Sequence, residues 1–389
     1  MKRVSIFGAT GSVGQSTLDL IGRGDYDVVA LTGGHNVALL AADAIRLRAD
    51  VAVTAYDDQL FTLREALAGT GIEAAAGTAA LEEAADRPAD WIMSAIVGVA
   101  GLAPGLRALR HGTTVALANK ESLVCAGPLL MAEATRHGTA ILPVDSEHSA
   151  VFQALAGEDI AAVEKVVITA SGGGLRDMPL DKLAEATPDQ AGTHPNWDMG
   201  QRITIDSASM FNKAMELIET KEFFGLNRSQ IETIIHPQSL IHALVQFVDG
   251  ALMAHLGAPD MRHAIGYALN WPDRAALPVA RLNLADIARL DFHAPDAARY
   301  PALALADFVM ARGGLAGAAF NAAKEHALDL FIDRRIRFTD MAPLVERALD
   351  RLDGQGSLEA AMLTLDMVQD TDRLTRAIVQ ELAQTLRAA

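Results

Sequence analysis

The string Gly8-Ala9-Thr10-Gly11-Ser12-Val13-Gly14 follows a short apolar run, Val4–Gly8, and opens a helix-patterned stretch, Ser12–Gly22. Few features restrict a chain's fold as strongly. Glycines at this spacing permit a tight strand-to-helix turn and let a ligand approach the backbone closely. The unpaired N–H groups and the dipole at the start of the helix favour an anion, and a dinucleotide pyrophosphate is the anion such turns commonly take. The spacing is G-x-x-G-x-x-G, a variant of the usual fingerprint, and an ordinary glycine-rich turn is the competing reading. Its place after an N-terminal strand favours the dinucleotide.

The following residues keep the same rhythm. Val28–Thr32, Val51–Thr54, Trp91–Ala95, Thr114–Ala118 and Ala140–Val144 are short apolar runs, most followed by helix-like segments such as Val37–Leu47. Alternation of this kind predicts a mostly parallel sheet covered on both faces, a Rossmann-like domain over residues 1–145. The pattern then changes. Val163–Thr169, Ile231–Ile235, Leu244–Val248 and Ala251–His255 read as strands, with the turn pair Asp249-Gly250 between the last two and a helix over Ser209–Thr220. Hairpin-paired strands with helices set apart predict an α+β domain over 146–270. Residues 271–300, punctuated by Pro272, Pro278 and Pro295, read as a linker. Residues 301–389 read as a helical domain, with helices over Ala302–Arg312, Ala316–Ile332, Met341–Leu352 and Thr371–Arg387. The fold class is therefore α/β plus α+β with a helical C-terminal domain.

Which nucleotide the first domain takes depends on the end of the second strand. Binders of NAD place a carboxylate there for the ribose 2′-hydroxyl. Here the strand runs into Thr32-Gly33-Gly34-His35-Asn36, with no carboxylate. A small polar pocket containing the potentially cationic His35 suits a 2′-phosphate, so NADPH is the expected cofactor.

The formal net charge of −16 argues against nucleic acid, whose backbone calls for clustered Lys and Arg. It leaves room for a small anionic substrate held by a local positive site. The single cysteine, Cys125, excludes an internal disulfide and a cysteine zinc cluster. It stands in the apolar string Leu123-Val124-Cys125-Ala126 and reads as a buried structural residue. No run approaches the ~18 apolar residues a membrane helix requires, and the N-terminus lacks a secretory apolar region, so a cytoplasmic protein with no membrane partner is expected.

Several strings carry chemistry. Asn119-Lys120-Glu121-Ser122 follows a strand, at the carboxyl end where ligands bind in such sheets. Asp145-Ser146-Glu147 ends another; in extended geometry its two carboxylates would share a face, and hard oxygen donors suit Mg2+ or Mn2+. The same string can equally cap a helix. Ser171-Gly172-Gly173-Gly174 can form an anion-binding nest of backbone N–H groups, or a plain turn. Thr193–Gly200 holds Trp197 and Met199 without apolar periodicity and reads as a lid loop over 193–201. Ser209, Asn212, Lys213 and Glu216 fall at i, i+3, i+4 and i+7, a polar helix face that could meet phosphate and metal together. His236 and His242 flank a strand, and core histidines are the simpler reading there.

These segments in this order resemble 1-deoxy-D-xylulose 5-phosphate reductoisomerases. The matching strings are GATGSVG, ANKESLV, PVDSEHSA, ASGGG, THPNWDMG, IDSASMFNKAMELIE, IHPQSLIHALV, LGAPDMRHAI, and RYPALALA through FNAAKEHA to RIRFTD. The resemblance implies NADPH- and metal-dependent rearrangement and reduction of a small sugar phosphate, 1-deoxy-D-xylulose 5-phosphate, to 2-C-methyl-D-erythritol 4-phosphate for isoprenoid synthesis, by a homodimer. It implies Asp145, Glu147 and Glu216 as metal ligands. Ser146 and Lys120 would hold substrate oxygens, and Ser171, Ser207, Asn212 and Lys213 the phosphate, helped by His194. Trp197 and Met199 would belong to the lid. Thr10, Gly11, Ser12, Val13, Gly34, Asn36, Asn119, Glu121 and Gly200 would contact NADPH. His35 stands where family members often carry lysine. Two other classes stay open on the residues alone: a plain NADP-dependent dehydrogenase without rearrangement, and a non-catalytic NADP-binding sensor. Neither requires the three carboxylates.

Overall fold

The computed structural model describes residues 1–197 and 199–386. Contacts divide the chain into two compact units. The first comprises 1–122, 130–149 and 260–280; the second comprises 123–129, 150–259 and the residues from Arg281 onward.

The first unit is built on seven strands: β1 (Lys2–Phe7), β2 (Tyr26–Gly33), β3 (Val51–Thr54), β4 (Glu73–Ala76), β5 (Trp91–Ser94), β6 (Thr114–Leu117) and β7 (Ala140–Pro143). Their order is β4-β3-β2-β1-β5-β6-β7, and every neighbouring pair is parallel. Parallel strands covered on both faces bury consecutive side chains. Val4, Ile6, Leu31, Val53, Ile92 and Met93 are accordingly inaccessible or nearly so. The expected doubly covered parallel sheet is present, with one strand more than the sequence suggested. β4 is Glu-Ala-Ala-Ala, and alanine favours helix; pairing with β3 in register Val51↔Glu73 makes it a strand.

A distant segment completes this unit. The helix Arg262–Asn270 packs on the helix Ser12–Ile21, with Arg262 Nη1 2.9 Å from Asp19 Oδ2. The buried Trp91 indole donates to the Ala268 carbonyl at 3.0 Å, and Lys2 Nζ to that of Leu269 at 2.8 Å.

The second unit has four strands: β8 (Val163–Ala170), β9 (Ile231–Ile235), β10 (Ile241–Phe247) and β11 (Leu252–Leu256), ordered β11-β10-β8-β9. β8 and β9 are parallel and the other pairs antiparallel, the expected α+β character. β10 and β11 form the hairpin anticipated from Asp249-Gly250, with Gly250 at φ 88°. Its helices include Gln201–Ala208, Phe211–Phe224, Ala302–Arg312, Ala316–Ile332, Met341–Gly354 and Leu365–Leu386. One apolar core joins the sheet to the C-terminal helices: Ile168, Phe211, Met215, Val245, Phe320, Phe331, Leu344 and Leu349 belong to it. The last helix begins before Thr371; Arg387, read as its end, lies outside the described residues, as does Asp198 of the 193–201 loop. The proline-rich stretch also carries structure: a short helix at Leu284–Ile287 and a bridge in which His293 pairs with Ile235 at the end of β9.

Candidate functional site

In the first unit the glycine turn has the predicted form. Gly8 sits at φ 88°, and a Cβ there would lie 2.4 Å from the Ala95 carbonyl oxygen. A Cβ on Gly14 would lie 2.2 Å from the Gly8 oxygen, so no larger residue fits either position without shifting the backbone. Thr32 ties the turn to β2: its Oγ1 accepts from Gly8 N at 3.0 Å and its carbonyl from Ala9 N at 2.7 Å. Gly11 precedes the helix Ser12–Ile21 and supplies no side-chain cap, which leaves first-turn N–H groups for a ligand. β1 lies between β2 and β5, where the strand order reverses and doubly wound sheets bind their ligands. Thr10, Gly11, Ser12 and Val13 thus line the start of that helix. His35 is exposed and stacks on Tyr56 with centroids 3.6 Å apart. Gly34 accepts from Thr54 Oγ1 at 3.1 Å, and Asn36 caps the helix Val37–Leu47 through Leu39 N at 3.2 Å.

The ends of β6 and β7 bring the next group together. Asn119 caps the helix Lys120–His137: its Oδ1 accepts from Ser122 N at 2.8 Å. Its amide donates to the carbonyls of Ile96 and Gly98 and to Glu121 Oε2 at 3.1 Å, fixing the loops after β5 and β6 to one another. Lys120 Nζ donates to Asp145 Oδ2 at 2.7 Å. Burial alone would raise the Asp145 pKa. The Lys120 ammonium and the electrostatic influence of the His148 ring, with hydrogen bonding shared with Glu147 and Lys120, outweigh it and hold the carboxyl well below the usual carboxylate range.

Asp145 and Glu147 do not share an extended strand. The helix Ser146–Ala154 starts between them, Asp145 Oδ1 accepts from Glu147 N at 3.3 Å, and Ser149 N donates to the Asp145 carbonyl. The string therefore caps a helix as well as presenting carboxylates, and the same-face argument from strand geometry is corrected. The Ser146 hydroxyl donates to the Glu147 carboxylate. Two anionic oxygen donors within three residues fit a hard divalent cation.

In the second unit, β8 delivers Ser171 into the glycine loop. Gly172 and Gly173 have φ 86° and 69°, and Gly173 N donates to Ser171 Oγ at 3.0 Å. A Cβ on Gly173 would lie 2.4 Å from Ala208 Cα and 2.8 Å from the Ser207 carbonyl oxygen, so this loop and Ser207 are neighbours. His194 Nε2 lies 2.9 Å from Ser171 Oγ, while its Nδ1 accepts from the N–H groups of Asn196 and Trp197 at 3.1 and 3.0 Å. Because Nδ1 accepts, the proton of the neutral ring sits on Nε2 and is donated to Ser171. Desolvation, with the nearby Arg176 charge, lowers the His194 pKa and favours that neutral form. Trp197 meets the His242 ring edge-on, 6.2 Å between centroids, and Met199 is half-buried. Gly200 caps the helix Gln201–Ala208, its carbonyl accepting from Thr204 N at 3.1 Å.

The polar face read from 209 to 216 is shorter than expected. Ser209 ends the helix Gln201–Ala208, and Met210 at φ 62° breaks the chain before the helix Phe211–Phe224. Ser209 Oγ caps backward onto the Ile205 carbonyl at 2.9 Å and leaves the set. Asn212, Lys213 and Glu216 remain: the Asn212 amide and Lys213 ammonium both donate to the Glu216 carboxylate, with Lys213 and Glu216 buried.

Sequence reasoning missed the groups that hold the anion loop. Arg176 Nη1 donates to the Ser171 carbonyl at 2.8 Å, Arg299 Nη1 to that of Leu175 at 2.9 Å, and the buried Tyr300 hydroxyl to that of Gly172 at 3.0 Å. Desolvation pushes the Tyr300 phenol up to about 12. These three donors hold the loop's carbonyls and so fix its course beside Ser207. Arg299 and Tyr300 stand at the end of the proline-rich stretch, where no periodicity marks them.

Family models describing 1-deoxy-D-xylulose 5-phosphate reductoisomerase match residues 4–127, its C-terminal domain 141–224, and a further C-terminal domain of the same enzyme 256–378. A 1-deoxy-D-xylulose 5-phosphate reductoisomerase from Jannaschia sp. (strain CCS1) is 71% identical over 379 residues, 97% of this chain and 96% of that one. One from Ruegeria pomeroyi is 69% identical over 378 residues, 97% of this chain and 96% of the relative. The Zymomonas mobilis enzyme in complex with NADPH superposes with a TM-score of 0.92 at 45% identity, over 98% of this chain and 99% of that one. A DOX-P reductoisomerase in complex with NADPH, fosmidomycin and magnesium gives 0.95 at 37% identity, over 100% and 99%. By sequence along nearly its whole length and by fold, this chain belongs to the 1-deoxy-D-xylulose 5-phosphate reductoisomerase family.

Proposed function

We propose that this protein is an enzyme that rearranges and reduces 1-deoxy-D-xylulose 5-phosphate to 2-C-methyl-D-erythritol 4-phosphate, using NADPH and Mg2+ or Mn2+. One observation carries the reading beyond family membership. The sheet that presents an open glycine turn after β1 also presents, at the ends of β6 and β7, the ion pair of Lys120 with Asp145, one residue from Glu147 by way of Ser146. A plain dehydrogenase needs the first feature and has no use for the second.

In this reading residues 1–145 take the dinucleotide through Thr10, Gly11, Ser12, Val13, Gly34, His35, Asn36, Asn119 and Glu121, with Gly200 contributing from 146–270. Residues 271–300 link to the helical part, 301–389. Asp145, Glu147 and Glu216 hold the cation. Lys120 keeps Asp145 ionised, and the hydrogen bonds from Asn212 and Lys213 orient Glu216. When bound, the cation supplies Lewis acidity to the ketone and its neighbouring hydroxyl, and NADPH supplies the hydride. Lys120 and Ser146 orient those substrate oxygens. Ser171, Ser207, Asn212, Lys213 and His194 grip the phosphate, and that remote binding energy positions the reacting carbons. With its oxygen already accepting from Gly173 N and His194, the Ser171 hydroxyl has its own proton to donate to a phosphate oxygen. Trp197 and Met199, on the 193–201 loop, keep water from the rearranging carbon skeleton.

We place the enzyme in the cytoplasm as a homodimer. No helix among the described residues is long and apolar enough to cross a membrane. The test is NADPH absorbance against time in metal-stripped protein with 1-deoxy-D-xylulose 5-phosphate. Loss of NADPH only once Mg2+ or Mn2+ is added, with the branched polyol phosphate as product, is the expected result. Consumption without metal would indicate a plain dehydrogenase, and NADPH binding with no consumption a sensor.

A further inference from the structure

We propose that Asn196 is a positioning residue that latches the Trp197-bearing loop to the turn after β9; the inference rests on the reading of 193–201 as a loop that closes over substrate. Both donors of the Asn196 amide are used. Nδ2 donates to the Pro237 carbonyl at 2.6 Å and to Ser239 Oγ at 3.0 Å. A side-chain amide is the shortest group that offers two protons from one atom in a plane, and this geometry uses both.

The turn that accepts these bonds is itself fixed. Ser239 is buried and held at φ 53°, a region costly for a residue with a Cβ, and its N–H donates to the His236 carbonyl at 3.1 Å. Gln238 is clamped to Asp291 twice, Nε2 to Oδ2 at 2.7 Å and Oε1 from Asp291 N at 3.2 Å. His236, fully buried, pairs through Nδ1 with the Asp291 carbonyl at 2.9 Å and stacks on Phe292. Ile235 and His293 exchange backbone hydrogen bonds at 2.8 and 2.9 Å. The acceptors for Asn196 therefore belong to a rigid corner formed by the end of β9 and residues 291–293.

On the loop side, Asn196 N donates to His194 Nδ1, and the next residue, Trp197, does the same. The loop is thus pinned at two points two residues apart: at His194, whose Nε2 meets Ser171 Oγ, and at Asn196, whose side chain meets Pro237 and Ser239. Two pins fix the direction in which Trp197 leaves the backbone, which one would not.

The test compares wild type with Asn196→Ala, Asn196→Asp, Ser239→Ala and Trp197→Ala, measuring kcat/KM for the sugar phosphate, the NADPH dissociation constant and thermal stability. Asn196→Asp keeps the shape but puts a carboxylate oxygen, with no proton to donate, where Nδ2 meets the Pro237 carbonyl and Ser239 Oγ. We expect kcat/KM to fall about ten- to a hundredfold in Asn196→Ala and at least as far in Asn196→Asp, as misplacement of a substrate-covering group does. NADPH affinity should stay within about twofold. Ser239→Ala should lose about two- to fivefold and add nothing on top of Asn196→Ala, the mark of a shared interaction. It also keeps the test readable should an Asn196 variant fail to fold. Wild-type activity in Asn196→Asp would show that only shape matters and overturn the latch. So would equal losses of sugar-phosphate and NADPH binding. If Trp197→Ala is fully active, the lid reading fails and takes the latch with it; if only Trp197→Ala is impaired, the latch alone fails. Absence of turnover in the wild type would instead refute the proposed reaction.

Discussion

Replacing Lys324 with methionine removes one half of a buried ion pair beside the proposed phosphate seat. Lys324 Nζ lies 2.8 Å from Asp206 Oδ2, and the two side chains are 4% and 5% exposed. Asp206 Oδ1 has no hydrogen-bond partner among the described residues, so this carboxylate leans heavily on Lys324. Removing one partner of such a pair strands a charge out of water and costs about 3–5 kcal/mol. At roughly 2–4 °C per kcal/mol for a unit of this size, the midpoint should fall by about 6–20 °C. Neutralising both sites, Lys324→Met with Asp206→Asn, should recover about half of that or more, because a buried pair itself stabilises little over neutral replacements. Circular dichroism on heating and in urea reads both variants. Asp206 immediately precedes Ser207, so the single variant should also raise KM for the sugar phosphate more than the double. A loss below ~1 kcal/mol in Lys324→Met, or a double variant no more stable than the single, would refute the argument that the stranded charge sets the cost.

Three other expectations follow from the geometry. Glu216→Gln keeps the hydrogen-bonding shape but loses the anionic donor, so turnover should vanish while NADPH affinity stays within about twofold; a near-normal rate would remove Glu216 from the metal set. Tyr300→Phe leaves the Gly172 carbonyl without its donor and should cost about 1–3 kcal/mol at neutral pH. Burial lifts the folded phenol from its ordinary 10.0 to about 12, so the wild-type advantage should be full below the lower value and disappear as pH rises toward the upper; an advantage constant through that window would contradict the buried phenol. His35→Lys places a permanent charge where His35 now stacks on Tyr56, and should tighten NADPH about three- to tenfold with a steeper salt dependence; unchanged affinity would take position 35 out of 2′-phosphate recognition.

What the sequence disclosed was whatever local physics decides. The helix Val37–Leu47 begins at an asparagine cap, and Ala302–Arg312 stops at a glycine; both came out with the observed bounds. The glycine turn was legible because its demand for missing Cβ atoms is met within seven residues of chain. The strand Glu73–Ala76 was not legible, since its alanines prefer helix and only pairing with β3 decides otherwise. Nor was the break at Met210, where a non-glycine residue takes φ 62° and removes Ser209 from the helix face. The helix Arg262–Asn270 has no counterpart in the sequence reading, and nothing local announces that it returns to the first unit to bond Asp19 and Trp91.

The division within the candidate site has the same cause. Residues that would touch substrate or cofactor stand in recognisable strings, because their chemistry fixes residue type and spacing together. Those that hold the strings in place do not: Arg176, Arg299, Tyr300 and Asn196 all donate to backbone carbonyls, and every residue type offers the same carbonyl. Any donor of suitable reach can serve, from any distance; Tyr300 acts across 128 positions. A support of this kind leaves no motif, only a donor and an acceptor satisfied together in the fold. That is why substitutions at Asn196 or Tyr300 should act on the placement of the loops while leaving the chemical groups of the site unchanged.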